Sequence, residues 1–177
     1  MPLKLSKKKQ KKIRGKPVII LVLMSLTLSL TLIDIVLKSY VEGFMTKGEE
    51  KAIFKGKVKL RKVYNKGMCL NLLDHKPELV KILSAFVTVL LTIYQLIILL
   101  GKKNGLKKAG LSLMVAGAWS NTFDRWVRGY VIDYVGFQTK WKKVTEVTYN
   151  LGDFFILAGS IFMTFSSLFG KKRNSKK

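Results

Sequence analysis

Four blocks of about 20 apolar residues, set apart by clusters of lysine and arginine, constrain this chain more than any other feature. That length is what a hydrocarbon core of roughly 30 Å demands of a spanning helix. The blocks run from about Pro17 to Tyr40, Leu79 to Leu100, Ala109 to Val127 and Tyr149 to Phe169. In lipid a lone segment must satisfy its backbone internally, so all four are expected as helices. The charge is lopsided, 33 Lys+Arg against 10 Asp+Glu. A soluble nucleic-acid binder with that charge would scatter its apolar residues at helical or strand period, and this chain blocks them. Cys69 is the only cysteine and His75 the only histidine, which leaves little for a disulfide, a zinc site or a thiol nucleophile. No metal or cofactor is expected.

The basic clusters set an orientation. Residues 1–16 hold eight Lys/Arg, Gly101–Lys108 four and Gly170–Lys177 five, with no acid in any of them. Placing both termini and the middle link in the cytoplasm satisfies the positive-inside rule. The basic start could mimic the first part of a cleaved signal, but the apolar run that follows is too long and has no small-x-small exit site. The expected organisation is a basic cytoplasmic segment 1–16, a four-helix membrane domain 17–169 and a basic tail 170–177. Outer loops span 41–78 and 128–148. In the first, Lys57–Arg61 alternates polar and apolar and Val63-Tyr64 extends it, predicting a short strand after a turn at Lys47-Gly48-Glu49. In the second, Tyr130–Val135 and Trp141 suit an element at the lipid–water interface. The fold class is thus an all-α membrane protein with a small β-containing extracytoplasmic subdomain.

Ionisable groups within spans are functional suspects, and counting gives their depth. Asp34 lies 17 residues past Pro17, about 26 Å along a helix, near the outer end of the first span. Asp124 is 15 past Ala109, near the outer end of the third, and Asp153 is four residues into the fourth. With Asp133 just beyond the third span, four carboxylates converge on one outer layer. Two carboxyls held together cannot easily both ionise, which yields an acid beside a base.

Bland roles compete with chemistry at each position. Asp34 and Lys38, at i,i+4, read first as a structural ion pair. Asp124 has Arg125 and Arg128 beside it to neutralise it. Asp133 serves equally well as an interfacial loop acid. Asp153 is the strongest catalytic candidate, a turn deep with no basic residue near it in sequence. Asn150 shares its face at i,i+3. Trp119, Phe123 and Trp126 read as lipid-facing or packing aromatics.

These motifs resemble the lipoprotein signal peptidases (signal peptidase II). The resemblance rests on Asp34-x3-Lys38, Asn65-Lys66-Gly67, Gly117–Arg125 with Asn121 and Asp124, Gly129–Tyr134 with Asp133, and Tyr149–Asp153, with Gly159 beyond. It implies a four-span aspartic endopeptidase whose catalytic pair is Asp133 and Asp153. It further implies that Asn65, Gly67, Asn121, Arg125 and Asn150 contact substrate or hold the pair, and that Asp34, Lys38 and Asp124 are polar supports. The implied partner is a diacylglyceryl-modified prolipoprotein, cut before its lipidated cysteine in the outer leaflet of a bacterial plasma membrane. The enzyme would work as a monomer among membrane lipids, without nucleic acid. The chain departs from the family pattern at Met68-Cys69, where an Ala pair is usual, and at Gly152, where Ala is usual. Bulkier residues at 68 and 69 would reshape the substrate groove, and Gly152 would loosen Asp153. Two other readings remain: a non-catalytic paralogue that binds lipopeptides, and a CDP-alcohol phosphotransferase. The latter needs an Asp-Gly-x2-Ala-Arg string at a cytoplasmic face, and this chain has none.

Overall fold

The computed structural model describes residues 7–68, 72–101 and 104–170. Cys69, Lys102, Lys103, residues 1–6 and the basic tail from 171 lie outside the described residues. Nine elements follow in order: α1 (Lys7–Phe44), β1 (Glu50–Ile53), β2 (Val58–Asn65), α2 (Pro77–Leu100), α3 (Gly105–Val127), β3 (Val131–Phe137), α4 (Lys142–Glu146), β4 (Thr148–Tyr149) and α5 (Leu151–Gly170). Among the described residues three helical stretches are long and apolar enough to cross a bilayer, Pro17–Phe44, Pro77–Leu100 and Leu151–Phe169. The helices outrun the apolar blocks: α1 begins ten residues before Pro17 and ends beyond Tyr40. A helix that has left the apolar layer can continue on intrahelical hydrogen bonds, so the hydropathy edge is not the helix edge.

The helix α3 is the hub, packed against α1, α2 and α5. Its seam with α5 is made by glycines. A Cβ on Gly117 would stand 2.1 Å from the Gly152 carbonyl oxygen, and one on Gly159 2.5 Å from that of Gly110. Small residues let helix backbones approach where lipid offers no hydrophobic drive. Gly152 is therefore a packing residue, and the expectation that it loosens Asp153 gives way to a backbone locked in a close crossing. The other faces of α3 are joined by polar side chains. Thr31 Oγ1 donates to the Ala116 carbonyl at 3.1 Å, and Gln95 Nε2 donates to Thr27 Oγ1 at 2.9 Å and Ser112 Oγ at 3.1 Å.

One end of the bundle carries an antiparallel sheet in the order β1-β2-β3-β4. The expected strand is β2, and the turn at Lys47-Gly48 precedes β1. The sheet draws on both long connections rather than one. The stretch expected at the lipid–water interface is divided: Val131–Phe137 is an inner strand, mostly buried, while Trp141 is exposed. Apolar residues on both faces of β3 serve burial on two sides. Ile132 and Tyr134 pack on Val41 and Met45 at the end of α1.

A β-bulge sits in β2. Leu60 pairs with Val135, but Val63 pairs with Asp133, so Arg61 and Lys62 together oppose Tyr134. The inserted residue flips the facing of everything after it. Asn65 consequently pairs with Val131 and lies on the same face as Asp133, two residues along. Without the bulge the two side chains would point to opposite faces.

Candidate active site

The start of α5 organises the site. Asn150 precedes the helix and Asp153 is its third residue, and they exchange hydrogen bonds. The Asp153 N–H donates to Asn150 Oδ1 at 3.0 Å, and the Asn150 N–H donates to Asp153 Oδ2 at 3.0 Å. This is a capping box, which satisfies two backbone donors that a helix start otherwise leaves open. The Asn150 side chain has a third task. Its Nδ2 donates to Asp133 Oδ1 at 2.6 Å. One fully buried asparagine thus joins the carboxyl from β3 to the carboxyl from α5.

Each carboxyl has a second amide. Asn65 Nδ2 donates to Asp133 Oδ2 at 3.1 Å, and Asn121 Nδ2 donates to Asp153 Oδ1 at 3.0 Å. The four carboxyl oxygens are therefore all held. Asn65 Oδ1 accepts from the Gly67 N–H at 2.9 Å, and the Gly67 carbonyl accepts from Arg125 Nη2 at 2.8 Å. Arg125 so ties the Asn65-Lys66-Gly67 turn to α3, while its Nε is buried without a partner.

Behind the pair lies a buried charge cluster. Lys38 Nζ is 2.9 Å from Asp34 Oδ2 and 3.4 Å from Asp124 Oδ2, with all three side chains fully buried. Arg128 pairs with Asp124 from the next turn, so two acids meet two bases. Asp34 Oδ2 accepts from Ser120 Oγ at 2.6 Å. Its Oδ1 accepts from the Tyr134 hydroxyl at 2.9 Å and from the Leu151 N–H at 3.2 Å. Asp34 thereby supplies the negative charge that the first turn of α5 favours. Asp124 Oδ2 accepts from the Ile132 N–H at 3.1 Å and fixes the entry into β3.

All ten residues singled out in the sequence meet in this one network. Ser120 and Tyr134, which sequence reasoning did not single out, belong to it as well. Ser120 lies one turn before Asp124 on the face toward α1, a spacing that could have drawn notice. Nothing local distinguishes Tyr134 from the other aromatics.

Asp133 is buried beside Asp153, and both facts disfavour its charge. Burial first, and then the Asp153 carboxylate, push it up to about 7, against the lowering hydrogen bonds from Asn65 and Asn150. A carboxyl that keeps its proton near neutrality, next to a second carboxyl held by amide donors, can give a proton while its neighbour takes one.

Fold and site define a class, an integral-membrane protein of apolar helices with paired carboxyl groups at one end. Within that class, residues 26–169 match the family model described as signal peptidase (SPase) II, and the chain belongs to that family. It is a protease that removes signal peptides from prolipoproteins. A lipoprotein signal peptidase of Caldicellulosiruptor bescii is 31% identical over 139 residues, 74% of this chain and 86% of that protein. One from Fusobacterium nucleatum is 29% identical over 140 residues, covering 77% and 84%. Among solved structures, a bacterial membrane enzyme determined by the in meso method at 2.3 Å resolution superposes with a TM-score of 0.76. It is 18% identical, and the match covers 88% of this chain and 93% of that one. This last likeness concerns the fold.

Proposed function

We propose that the chain is an aspartic endopeptidase in which Asp133 and Asp153 are the catalytic pair. It cuts diacylglyceryl-modified prolipoproteins just before the lipidated cysteine. The observation that carries this reading is the bridging of the two carboxyls by Asn150, with Asp133 pushed up to about 7. Asp133 holds the shared proton and Asp153 is ionised. Asp153 takes a proton from water, whose oxygen attacks the scissile carbonyl, while Asp133 gives its proton to the developing oxyanion. The amine leaves with the proton Asp153 acquired, and collapse of the intermediate returns a proton to Asp133. Asn65, Asn121 and Asn150 hold the pair, and Arg125 with Gly67 positions substrate. Asp34, Lys38 and Asp124 support them.

The same reading makes α3 a fourth span and puts both termini in the cytoplasm of a bacterium. The pair and the sheet then lie at the outer leaflet of the plasma membrane, and the protein works as a monomer. At 23 residues α3 is about 34 Å long, enough to cross. Its charges collect at its ends, and its surroundings are the other three helices.

Cleavage of a lipidated prolipoprotein by the purified protein tests the function. Full activity is expected in EDTA, and none from Asp133→Asn or Asp153→Asn. Chelator sensitivity restored by metal would overturn the mechanism, and no cleavage by the unaltered chain would favour a paralogue that only binds lipopeptides. Orientation is tested separately, in a Cys69→Ser background. A cysteine at Lys51 should label in intact cells, and one at Gly105 only after permeabilisation.

A further inference from the structure

Two aromatic side chains stand clear of the protein at the end of the sheet where β1 turns into β2. Phe54 is 76% exposed and Trp141 75%. They come from different connections but from one rim. Val58 pairs with Phe137, and the Gln138 N–H donates to the Lys57 carbonyl at 2.9 Å. Exposed lysines flank both, Lys55 and Lys57 on one side, Lys140 and Lys142 on the other. All ten acids lie among the described residues, yet Lys55, Lys57 and Lys140 join no ion pair and Lys142 only reaches Glu146 at 3.9 Å. The hairpin tip is also strained. Phe54 has φ 50° and Lys55 φ 58°, a left-handed conformation that disfavours L side chains. Two backbone hydrogen bonds close the tip, the Gly56 N–H to the Ile53 carbonyl at 3.1 Å and the Lys57 N–H to the Phe54 carbonyl at 3.3 Å, and they leave the Phe54 ring exposed.

The depth of the rim follows from its neighbour. Phe137, at the end of β3, packs edge-on against Phe154 with ring centroids 6.0 Å apart, and against Tyr149 at 6.1 Å. Phe154 lies in the first turn of α5, one of the three apolar spans. The rim therefore stands level with the end of a membrane helix. Aromatic side chains gather at that level because one ring suits both headgroup and hydrocarbon, and adjacent lysines are drawn to anionic lipid. A protein partner fits less well, since isolated rings spaced by lysines do not make a contiguous apolar patch and lysine is depleted from protein interfaces.

We propose that this rim rests on the bilayer surface beside α5. Phe54 and Trp141 sit among the headgroups, and Lys55, Lys57, Lys140 and Lys142 lie on the phosphates of anionic phospholipids. Given the orientation proposed above, the contact is with the outer leaflet. It pins the sheet whose inner strand carries Asp133.

The test uses the full chain with Trp119→Phe and Trp126→Phe, so that Trp141 alone emits. The protein is reconstituted in phosphatidylcholine vesicles, with or without phosphatidylglycerol, containing lipids brominated near the headgroup. Bromine should quench Trp141, more strongly with phosphatidylglycerol, and high salt should bring the two membranes level. Replacing the four lysines by Gln should abolish the difference between lipids, and Phe54→Ser, a change at an exposed tip, should reduce quenching in both. Trp141 that ignores bromine but is quenched by aqueous iodide would overturn the contact. Equal quenching in both vesicles at low salt would overturn the anionic preference. The readout needs neither substrate nor catalytic carboxyl, so a failed cleavage assay would strike the proposed mechanism and leave the rim standing.

Discussion

Lys38 decides which way Asn121 faces Asp153. An ammonium group can only donate, and Lys38 Nζ lies 2.7 Å from Asn121 Oδ1. The amide nitrogen is thereby turned to Asp153 Oδ1 at 3.0 Å. A charge buried behind the pair so controls a hydrogen bond to one member of it. Lys38→Met and Asn121→Ala separate the buried charge from the hydrogen bond. Leaving Asp34 and Asp124 without their shared cation should cost about 3–5 kcal/mol, read as a lower unfolding midpoint. Asn121→Ala removes the donor on Asp153 and one acceptor of Lys38, which keeps Ser120, Asp34 and Asp124, and should lower kcat by about 10- to 100-fold with a smaller stability loss. An Asn121→Ala protein with unchanged kcat would show that this amide does not position the pair.

Asp133→Asn should trade activity for stability. The folded chain holds Asp133 up to about 7, while an unfolded Asp titrates near 3.9. Between those values the folded state binds more protons, so stability falls as pH rises through the window. Asn removes that ionisation. Asp133→Asn should therefore unfold at a higher temperature than the parent at pH 8, with no such gain at pH 4, while cleavage drops by at least about 100-fold. Turnover retained in Asp133→Asn but lost in a folded Asp124→Asn would move the chemistry to the other acid.

The seam between α3 and α5 gives a purely steric prediction. The carbonyl a Cβ on Gly117 would strike, at 2.1 Å, is backbone and cannot rotate away. Gly117→Ala must push the helices apart or shift the start of α5, where Asn150 and Asp153 sit. A destabilisation of roughly 1–3 kcal/mol is expected, with kcat falling more than KM rises. Gly105→Ala, which meets nothing within 4 Å, is the control and should change neither. Equal tolerance at the two positions would mean that the crossing is not tight.

Much of this arrangement was legible because membrane depth is a one-dimensional quantity. Counting from the ends of apolar runs puts Asp34, Asp124 and Asp153 at one level, and the three meet with Asp133 in one network. The alternation in Lys57–Arg61 exposes β2 in the same way. What stayed hidden depends on pairing across the chain. The bulge at Arg61-Lys62 is set by register against β3, and only it brings Asn65 to the face of Asp133. The inner position of β3 was masked by an apolar run that reads equally as interfacial. The strand Glu50–Ile53 carries two charges and no alternation, and it exists because β2 offers an edge. Asn150 and Asp153 share a face because they form a capping box, a motif whose i,i+3 spacing is local and legible in the sequence. Tyr134 left no such trace, since its hydroxyl finds Asp34 a hundred residues away.

The pH dependence of cleavage should reveal which carboxyl carries the proton. In the proposed mechanism the active form is singly protonated, so the rate should be bell-shaped in pH, low when both carboxyls are protonated and low when both are ionised. Asp133 loses its proton as pH rises through about 7, so the alkaline limb should fall there. Asn65 sharpens the test, because its amide donates to Asp133 and favours the ionised form. Asn65→Ala removes that support, raises the value further and should move the alkaline limb to higher pH. The acid limb belongs to the other carboxyl, which Asn65 does not touch, and should stay nearly in place. An alkaline limb that moves down in Asn65→Ala, or an acid limb that moves instead, would reverse the roles and make Asp133 the base that receives the proton from water.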